Sequence, residues 1–223
     1  MLVTTALLTA FGGRTAPAAD VIAPPQRLVA ASPPRPQVVA TVGSLRLQLP
    51  VSQSRMTAIG YHAVSDGALA LDPVGRQGNE GFFSRVFHRL FGGGGGGLVY
   101  YRLGGGSGTE TGSLDVGAAP GTDVYSPVDG TVVGITDYVV DGRAFGARID
   151  VQPSSVPSLL VSLTHLRPDP SLTVGSAVAA GSSKLGAAID LSSVERQALA
   201  RYTQDAGNHV AVEVHQAAAL AVP

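Results

Sequence analysis

Residues 114–133 read L-D-V-G-A-A-P-G-T-D-V-Y-S-P-V-D-G-T-V-V, and this stretch decides the fold. It holds two short runs typical of β-strands, residues 123–125 and 131–133, on either side of Asp129-Gly130. An Asp-Gly pair between such runs favours a tight hairpin, because glycine takes the positive φ that the turn requires. We expect Asp115 to point from a strand end into a cleft. Further runs predict strands at residues 147–151, 159–163, 184–189 and 209–214.

The composition indicates a β-rich chain with many loops and gives few clues to a partner. Of the 223 residues only 14% are charged, while 29 are glycine and 15 are proline. A net charge of -1 gives no reason to expect nucleic acid. The absence of cysteine excludes disulfides and thiolate metal sites.

The first 37 residues are interpreted as a signal or anchor remnant followed by a proline-rich linker. Residues 1–11 contain a short apolar run, and Ala16-Pro17-Ala18 is a plausible cleavage signal. The run is too short to span a bilayer and lacks a positively charged start. A weakly structured tail is the alternative. Residues 23–37 are rich in proline and predict an extended linker.

Residues 38–97 predict a small N-terminal β element, a helix and a tether. Alternating apolar residues over 38–51 indicate one or two strands. Residues 81–91 predict a helix whose broad apolar face carries four phenylalanines, ending at six consecutive glycines, 92–97. Packing on its own domain is the simplest role for this helix, and docking on a membrane surface or a partner is the alternative. A second short helix is predicted over 191–205, beside the presumed cleft.

The spacing of the later motifs resembles the lysostaphin/LytM-type peptidoglycan endopeptidases. That family carries H-x-G-x-D, then Gly-Thr and P-x-D-G-x-V, a strand ending in His-Leu, and H-x-H-x-E. Matching residues occur here in the same order: Gly121-Thr122, Pro127, Asp129-Gly130, Val132, His165-Leu166, His209 and Glu213. The resemblance covers about the last half of the chain. It implies a duplicated-hybrid-motif β-sheet or barrel-like core over residues 98–223, of a kind that holds zinc in active enzymes.

The resemblance also assigns roles to individual residues. Asp115 is the one retained zinc-ligand position, whereas Thr111 and Ala211 occupy the positions of the two ligand histidines. Since threonine is a poor zinc ligand and alanine none, the chain is expected to bind no cofactor unless it is active, in which case the cofactor is zinc. His165 and His209 match the family's acid–base histidines.

Other residues offer alternatives. Strand alternation places His209, Ala211, Glu213 and His215 on one face, where Glu213 and His215 line the groove, and three valines on the other. His62-x-x-x-Asp66 repeats the four-residue spacing of the first family motif, and Asp115, His165 and His209 form another candidate for a non-standard metal site. A lone His88 or His215 is otherwise a surface histidine.

Three functions remain open from the sequence. The first is a catalytically inactive LytM-like domain of the bacterial envelope, outside the cytoplasm and near a membrane, that binds a peptidoglycan stem peptide or an envelope protein. The second is an active zinc endopeptidase whose site is completed by His62 or His165. The third is a structural module that docks through residues 82–91.

Overall fold

The chain is mainly β, as the sequence predicts. The computed structural model describes residues 32–64, 67–79, 97–104, 108–194 and 197–217. Contacts group residues 31–223 into one unit. The strands in the described part are β1 (Val38–Val42), β2 (Leu45–Gln48), β3 (Met56–Val64), β4 (Asp72–Pro73), β5 (Arg76–Gln77), β6 (Val99–Arg102), β7 (Thr109–Ala118), β8 (Asp123–Tyr125), β9 (Gly130–Val140), β10 (Arg143–Pro153), β11 (Leu159–Pro168), β12 (Ala177–Val178), β13 (Lys184–Ala188) and β14 (His209–Gln216).

Most of these strands join one large sheet in the order β12-β9-β10-β11-β14-β7-β3-β6-β5. Neighbouring strands are antiparallel except that β6 runs parallel to both β3 and β5. β13 pairs with β11 and β8, while β1, β2 and β4 form a separate small sheet. Although the sequence places β3 before the core domain, β3 pairs with β7 in the middle of the large sheet. The domain boundaries at residues 37 and 97 stay predictions.

The core lies between the large sheet and the small one. Side chains with almost no exposed surface come from both sheets, including Leu45, Leu47, Leu114, Ile149, Leu163 and Val212. On β14 the predicted alternation is confirmed, because Val210, Val212 and Val214 are fully buried in this core. The other face of β14 is therefore available to the site.

The predicted Asp129-Gly130 hairpin is wrong. β8 pairs with β13 rather than with β9, so the strands on either side of Pro127 are not partners. A Cβ at Gly130 would collide with the carbonyl oxygen of Gln152, so this glycine permits a close approach of two backbones. The hairpin rule applies instead to Asp141 and Gly142, which join β9 to β10 with φ of 49° and 76°.

The second predicted helix is also wrong. Residues 192–194 form a turn, and a single turn of 3-10 helix follows at Ala198–Arg201. Side-chain hydrogen bonds, rather than regular α-helical ones, fix the start of this segment. Asn208 Oδ1 accepts from the Leu191 amide at 2.9 Å, and Asp190 Oδ1 accepts from the Ser192 amide at 3.0 Å. The phenylalanine-rich helix at 81–91 lies outside the described residues. Within them, no helix has the length and apolarity needed to cross a membrane.

Candidate functional site

An open cavity of about 540 Å³ lies on the face of the large sheet opposite the core. Directly paired residues of antiparallel strands point to the same face, so the sheet register decides what lies on the cavity floor. One row across β3, β7, β14 and β11 is Gly60, Asp115, Ala211 and Thr164. The next row is His62, Ser113, Glu213 and Ser162.

Asp115 lies at the centre of this floor and is 2% exposed. Its Oδ1 is 3.3 Å from His62 Nε2 and 3.7 Å from His209 Nε2. Ser113 Oγ donates to the same oxygen at 3.4 Å. Burial alone raises the pKa of the Asp115 carboxyl, but His209 and His62 outweigh it and hold that pKa below its ordinary value. Asp115 is therefore a buried carboxylate that depends on histidines for its charge balance.

Both of these histidines have their second ring nitrogen fixed by the backbone. His62 Nδ1 contacts the Ala63 carbonyl at 3.1 Å, and His209 Nδ1 contacts the Gly207 carbonyl at 3.1 Å. A carbonyl oxygen only accepts, so each Nδ1 carries the hydrogen and each Nε2 faces Asp115. The hydrogen bond to Asp115 raises the pKa of His62 to about 9 despite its partial burial, so His62 is an imidazolium at neutral pH.

His165 reaches the cavity through an irregular backbone. Its φ is +65°, a conformation that non-glycine residues rarely adopt, and it lies where the β10–β11 register shifts. As a result both Thr164 and His165 line the cavity although they are consecutive in β11. The His165 ring meets the His209 ring edge-on with centroids 4.8 Å apart. Burial, followed by His209, lowers the pKa of His165 to about 4, so its imidazole is neutral.

The 3-10 turn forms one wall of the cavity. Gln197 and Ala198 line it, and Leu199 is fully buried behind them. Space for Leu199 comes from a glycine, because a Cβ at Gly60 would lie 3.0 Å from Leu199 Cδ1. The segment predicted as a helix beside the cleft therefore borders the cavity through a 3-10 turn.

The two residues that the resemblance assigns to the positions of ligand histidines, Ala211 and Thr111, lie on β14 and β7. Ala211 pairs directly with Asp115 on the cavity floor, and its methyl group supplies no donor. Thr111 is buried further along β7, and its carbonyl accepts from the Leu71 amide at 3.1 Å. A zinc ion therefore does not fit the family's own set of positions in this chain.

Some of the other residues that the sequence predicts lie in the described part of the chain, and some lie outside it. Glu213 lines the cavity, and its Oε2 lies 3.0 Å from His215 Nε2. The surface position expected for His215 is wrong, because it is 3% exposed and pairs with Glu213 under the cavity wall. Asp129 lies in a bend before β9, and its Oδ1 accepts from the amide of Ala180, which is distant in sequence, at 2.8 Å. Asp66 and His88 lie outside the described residues.

The partner of His62 in the structure differs from the one that its sequence spacing suggests. The sequence offered it together with Asp66, through spacing within one segment, whereas its partner in the structure is Asp115 on the neighbouring strand. His165 and His209 contact each other, as expected for one cleft. In the arrangement of the described side chains, no group of three or more His, Cys, Asp or Glu residues is placed to hold a metal ion.

The chain matches no family model and no curated protein. It does match solved structures, each at low identity. The M23 metalloprotease pseudoalterin from the deep sea is 18% identical over 78% of this chain and 72% of that one, with a TM-score of 0.41. Helicobacter pylori Csd3 is 14% identical over 76% of this chain but 31% of that one, with a TM-score of 0.39.

A third match is a chain of the SpoIIQ–SpoIIIAH pore-forming complex. It is 17% identical over 76% of this chain and 83% of that one, with a TM-score of 0.40. Similarity of this degree says nothing about activity, metal or ligand.

Proposed function

We propose that this chain is a LytM-like domain of the bacterial cell envelope that binds an extended peptide in its cavity without cleaving it. The peptide is the stem peptide of peptidoglycan or a segment of an envelope protein. The carrying observation is Ala211: it faces Asp115 across the cavity floor, where the family resemblance requires a ligand histidine. On this proposal the cavity floor remains polar and binds a peptide, but the family's set of zinc ligands is incomplete.

The cavity has the features of a peptide site rather than of a small apolar pocket. It is open to solvent and lined by side chains of both charges, among them Asp137, Arg148 and Glu213. Arg148 is held in place by Asp150 at 2.9 Å and by Ser162 at 2.8 Å. Such fixed polar groups suit the amides and carboxylates of a peptide.

An envelope location agrees with the plausible cleavage signal Ala16-Pro17-Ala18, which follows a short apolar run that lacks a positively charged start. The domain on this proposal works outside the cytoplasm.

The experiment is co-sedimentation of the full chain with purified peptidoglycan. Thr164→Tyr places a bulky ring on the cavity floor, and Thr173→Tyr makes the same change in an exposed loop. We expect the wild type and Thr173→Tyr to bind equally and Thr164→Tyr to bind at least about tenfold more weakly. Thermal unfolding confirms that both variants are folded. Equal binding by Thr164→Tyr contradicts the cavity as the binding site, and no binding by the wild type to peptidoglycan or its peptides excludes the stem peptide as its ligand.

A second candidate function is a zinc endopeptidase with a non-standard site, because His62 supplies an imidazole beside Asp115 that the family pattern lacks. Release of new amino groups from peptidoglycan separates the two candidates. A wild-type chain that releases them in the presence of zinc, where Asp115→Asn does not, supports the endopeptidase and contradicts a purely binding role.

A further inference from the structure

Arg148 lies on the cavity side of the large sheet, at an irregularity between β10 and β11. The register of these strands shifts here, so that the single residue Arg148 on β10 lies opposite both Thr164 and His165 on β11. A β-bulge of this kind changes the direction of the side chains beside it. All three residues line the cavity. The bulge therefore brings a cationic side chain next to the cavity floor.

A ring of hydrogen bonds fixes the guanidinium group of Arg148. Its Nε donates to Asp150 Oδ1 at 2.9 Å, and its Nη2 donates to Ser162 Oγ at 2.8 Å. Ser162 Oγ in turn donates to the same oxygen of Asp150 at 2.6 Å. The Asp150 side chain is 16% exposed and Ser162 is fully buried, so both partners lie behind the arginine and not in the cavity. The plane of the guanidinium is set before any ligand binds.

This ring leaves one edge of the guanidinium unused. Neither Nη1 hydrogen of Arg148 has an acceptor in the described part of the chain, and Nη2 has a second hydrogen beyond the one that Ser162 accepts. The Nη1 and Nη2 atoms form the edge through which a guanidinium binds a carboxylate with two parallel hydrogen bonds. Since Arg148 lines the cavity and its side chain is 28% exposed, a ligand in the cavity can reach this edge.

The carboxylates that line the cavity do not occupy this edge. Asp115 contacts His62, and Glu213 contacts His215. Asp137 lies on β9, next to the residue that pairs with Arg148, but among the described residues Arg148 forms an ion pair with Asp150 alone. Asp137 opposes an anion in this part of the cavity, so its charge provides a separate control.

We propose that Arg148 determines the specificity of the cavity by binding a carboxylate of the peptide through its Nη1 and Nη2 atoms. The inference rests on the proposed function and names the chemical class of its ligand. The cavity takes a peptide that carries a carboxylate, at its C-terminus or on a side chain, in preference to a neutral peptide. Two charge-assisted hydrogen bonds to a guanidinium that is already oriented supply this preference.

The test uses calorimetry of the full chain with two soluble stem peptides of peptidoglycan that differ only at the C-terminus, a free carboxylate in one and an amide in the other. Arg148→Gln should bind the acid peptide at least about tenfold more weakly than the wild type. Arg148→Lys keeps the charge but lacks the planar group, and we expect binding about three- to tenfold weaker. Arg167→Gln makes the first change at an exposed arginine outside the cavity and should bind as the wild type does.

The amide peptide identifies which carboxylate is bound. Binding of the amide by the wild type at least about tenfold more weakly than the acid assigns the C-terminal carboxylate. Equal binding of both peptides, with both weakened by Arg148→Gln, assigns a side-chain carboxylate. Asp137→Asn removes a neighbouring negative charge and should bind the acid peptide about two- to threefold more tightly. Weaker binding by this variant contradicts an anion at this place.

The remaining outcomes separate this inference from the proposed function. Unchanged affinity of Arg148→Gln for the acid peptide overturns the carboxylate site and leaves the cavity as a peptide site. If the wild type binds neither peptide, the stem peptide is excluded as the ligand and this inference fails with it. Thermal unfolding establishes that each variant is folded. If Arg148→Gln is unfolded, Arg148→Lys decides, because binding equal to that of the wild type contradicts a role for the planar group.

Discussion

Replacing Asp115 by asparagine keeps the shape of the side chain and removes the charge that His62 contacts at 3.3 Å. This hydrogen bond is the main reason that the pKa of His62 is raised from 6.5 to about 9. Without the carboxylate, the pKa of His62 should fall by about 2 units, to near its ordinary value.

The same pair makes stability depend on pH. A shift of this size corresponds to at most about 3 kcal/mol, and we expect about 1–2 kcal/mol because the His62 side chain is 31% exposed and partly screened. A raised histidine pKa stabilises the folded state fully below the unfolded value of 6.5, and this stabilisation is lost as the pH rises through about 9. As the pH rises from 6.5 to about 9, the wild type should therefore become less stable. Asp115→Asn lacks the carboxylate that stabilises the charged His62, so it should not show this loss.

The assay is an NMR titration of the imidazole signals in EDTA, with His62 assigned through His62→Gln, together with urea unfolding from pH 6 to 10. The control is Asp123→Asn, which removes a carboxylate paired with Lys184 at 2.7 Å outside the cavity. It should leave the His62 titration unchanged. A wild-type His62 that titrates near 6.5, or a titration that Asp115→Asn leaves in place, would refute this electrostatic reasoning.

Three stability predictions follow from the packing, each measured by thermal or urea unfolding. Leu199→Ala empties a fully buried site beside the cavity; we expect a loss of about 3 kcal/mol and a fall in Tm of roughly 6–12 °C, and a loss below about 1 kcal/mol contradicts its anchoring role. Gly130→Ala drives a methyl group against the Gln152 carbonyl; we expect a loss of about 1–3 kcal/mol, whereas an unchanged midpoint would contradict the close approach of these two backbones. Tyr61→Phe removes the hydrogen bond to the Val39 carbonyl at 2.7 Å, a carbonyl that also accepts from the Val74 amide at 2.9 Å; we expect a loss of about 1 kcal/mol, and a neutral result would mean that this hydroxyl contributes no net stability.

Local rules predicted the strands well because the strand pattern is a property of a few consecutive residues. The alternation on β14 placed Val210 and Val212 in the core and Ala211 on the cavity floor without reference to any partner strand. The hairpin rule was applied to the wrong pair, Asp129-Gly130. Of the Asp-Gly pairs at residues 129–130 and 141–142, only Asp141-Gly142 joins strands that pair.

The composition of the site depends on pairing between strands that are distant in sequence. His62 and Asp115 meet because β3 pairs with β7, with His62 opposite Ser113. No local pattern specifies that register. The sequence does show a histidine inside an alternating strand, but its role depends on Asp115 in the neighbouring strand. The turn at residues 197–202 was missed for a related reason, since Leu199 is fixed by tertiary packing over Gly60 rather than by helical bonds.

The most direct test of the account is to titrate a soluble stem peptide of peptidoglycan into the isotope-labelled chain and follow the backbone amide signals. Binding in the cavity predicts shifts centred on Thr164, Ala211 and Asp137, which line it from three strands, with the peptide recovered uncut. Shifts confined to another surface, no shifts at all, or recovery of a cleaved peptide would contradict it.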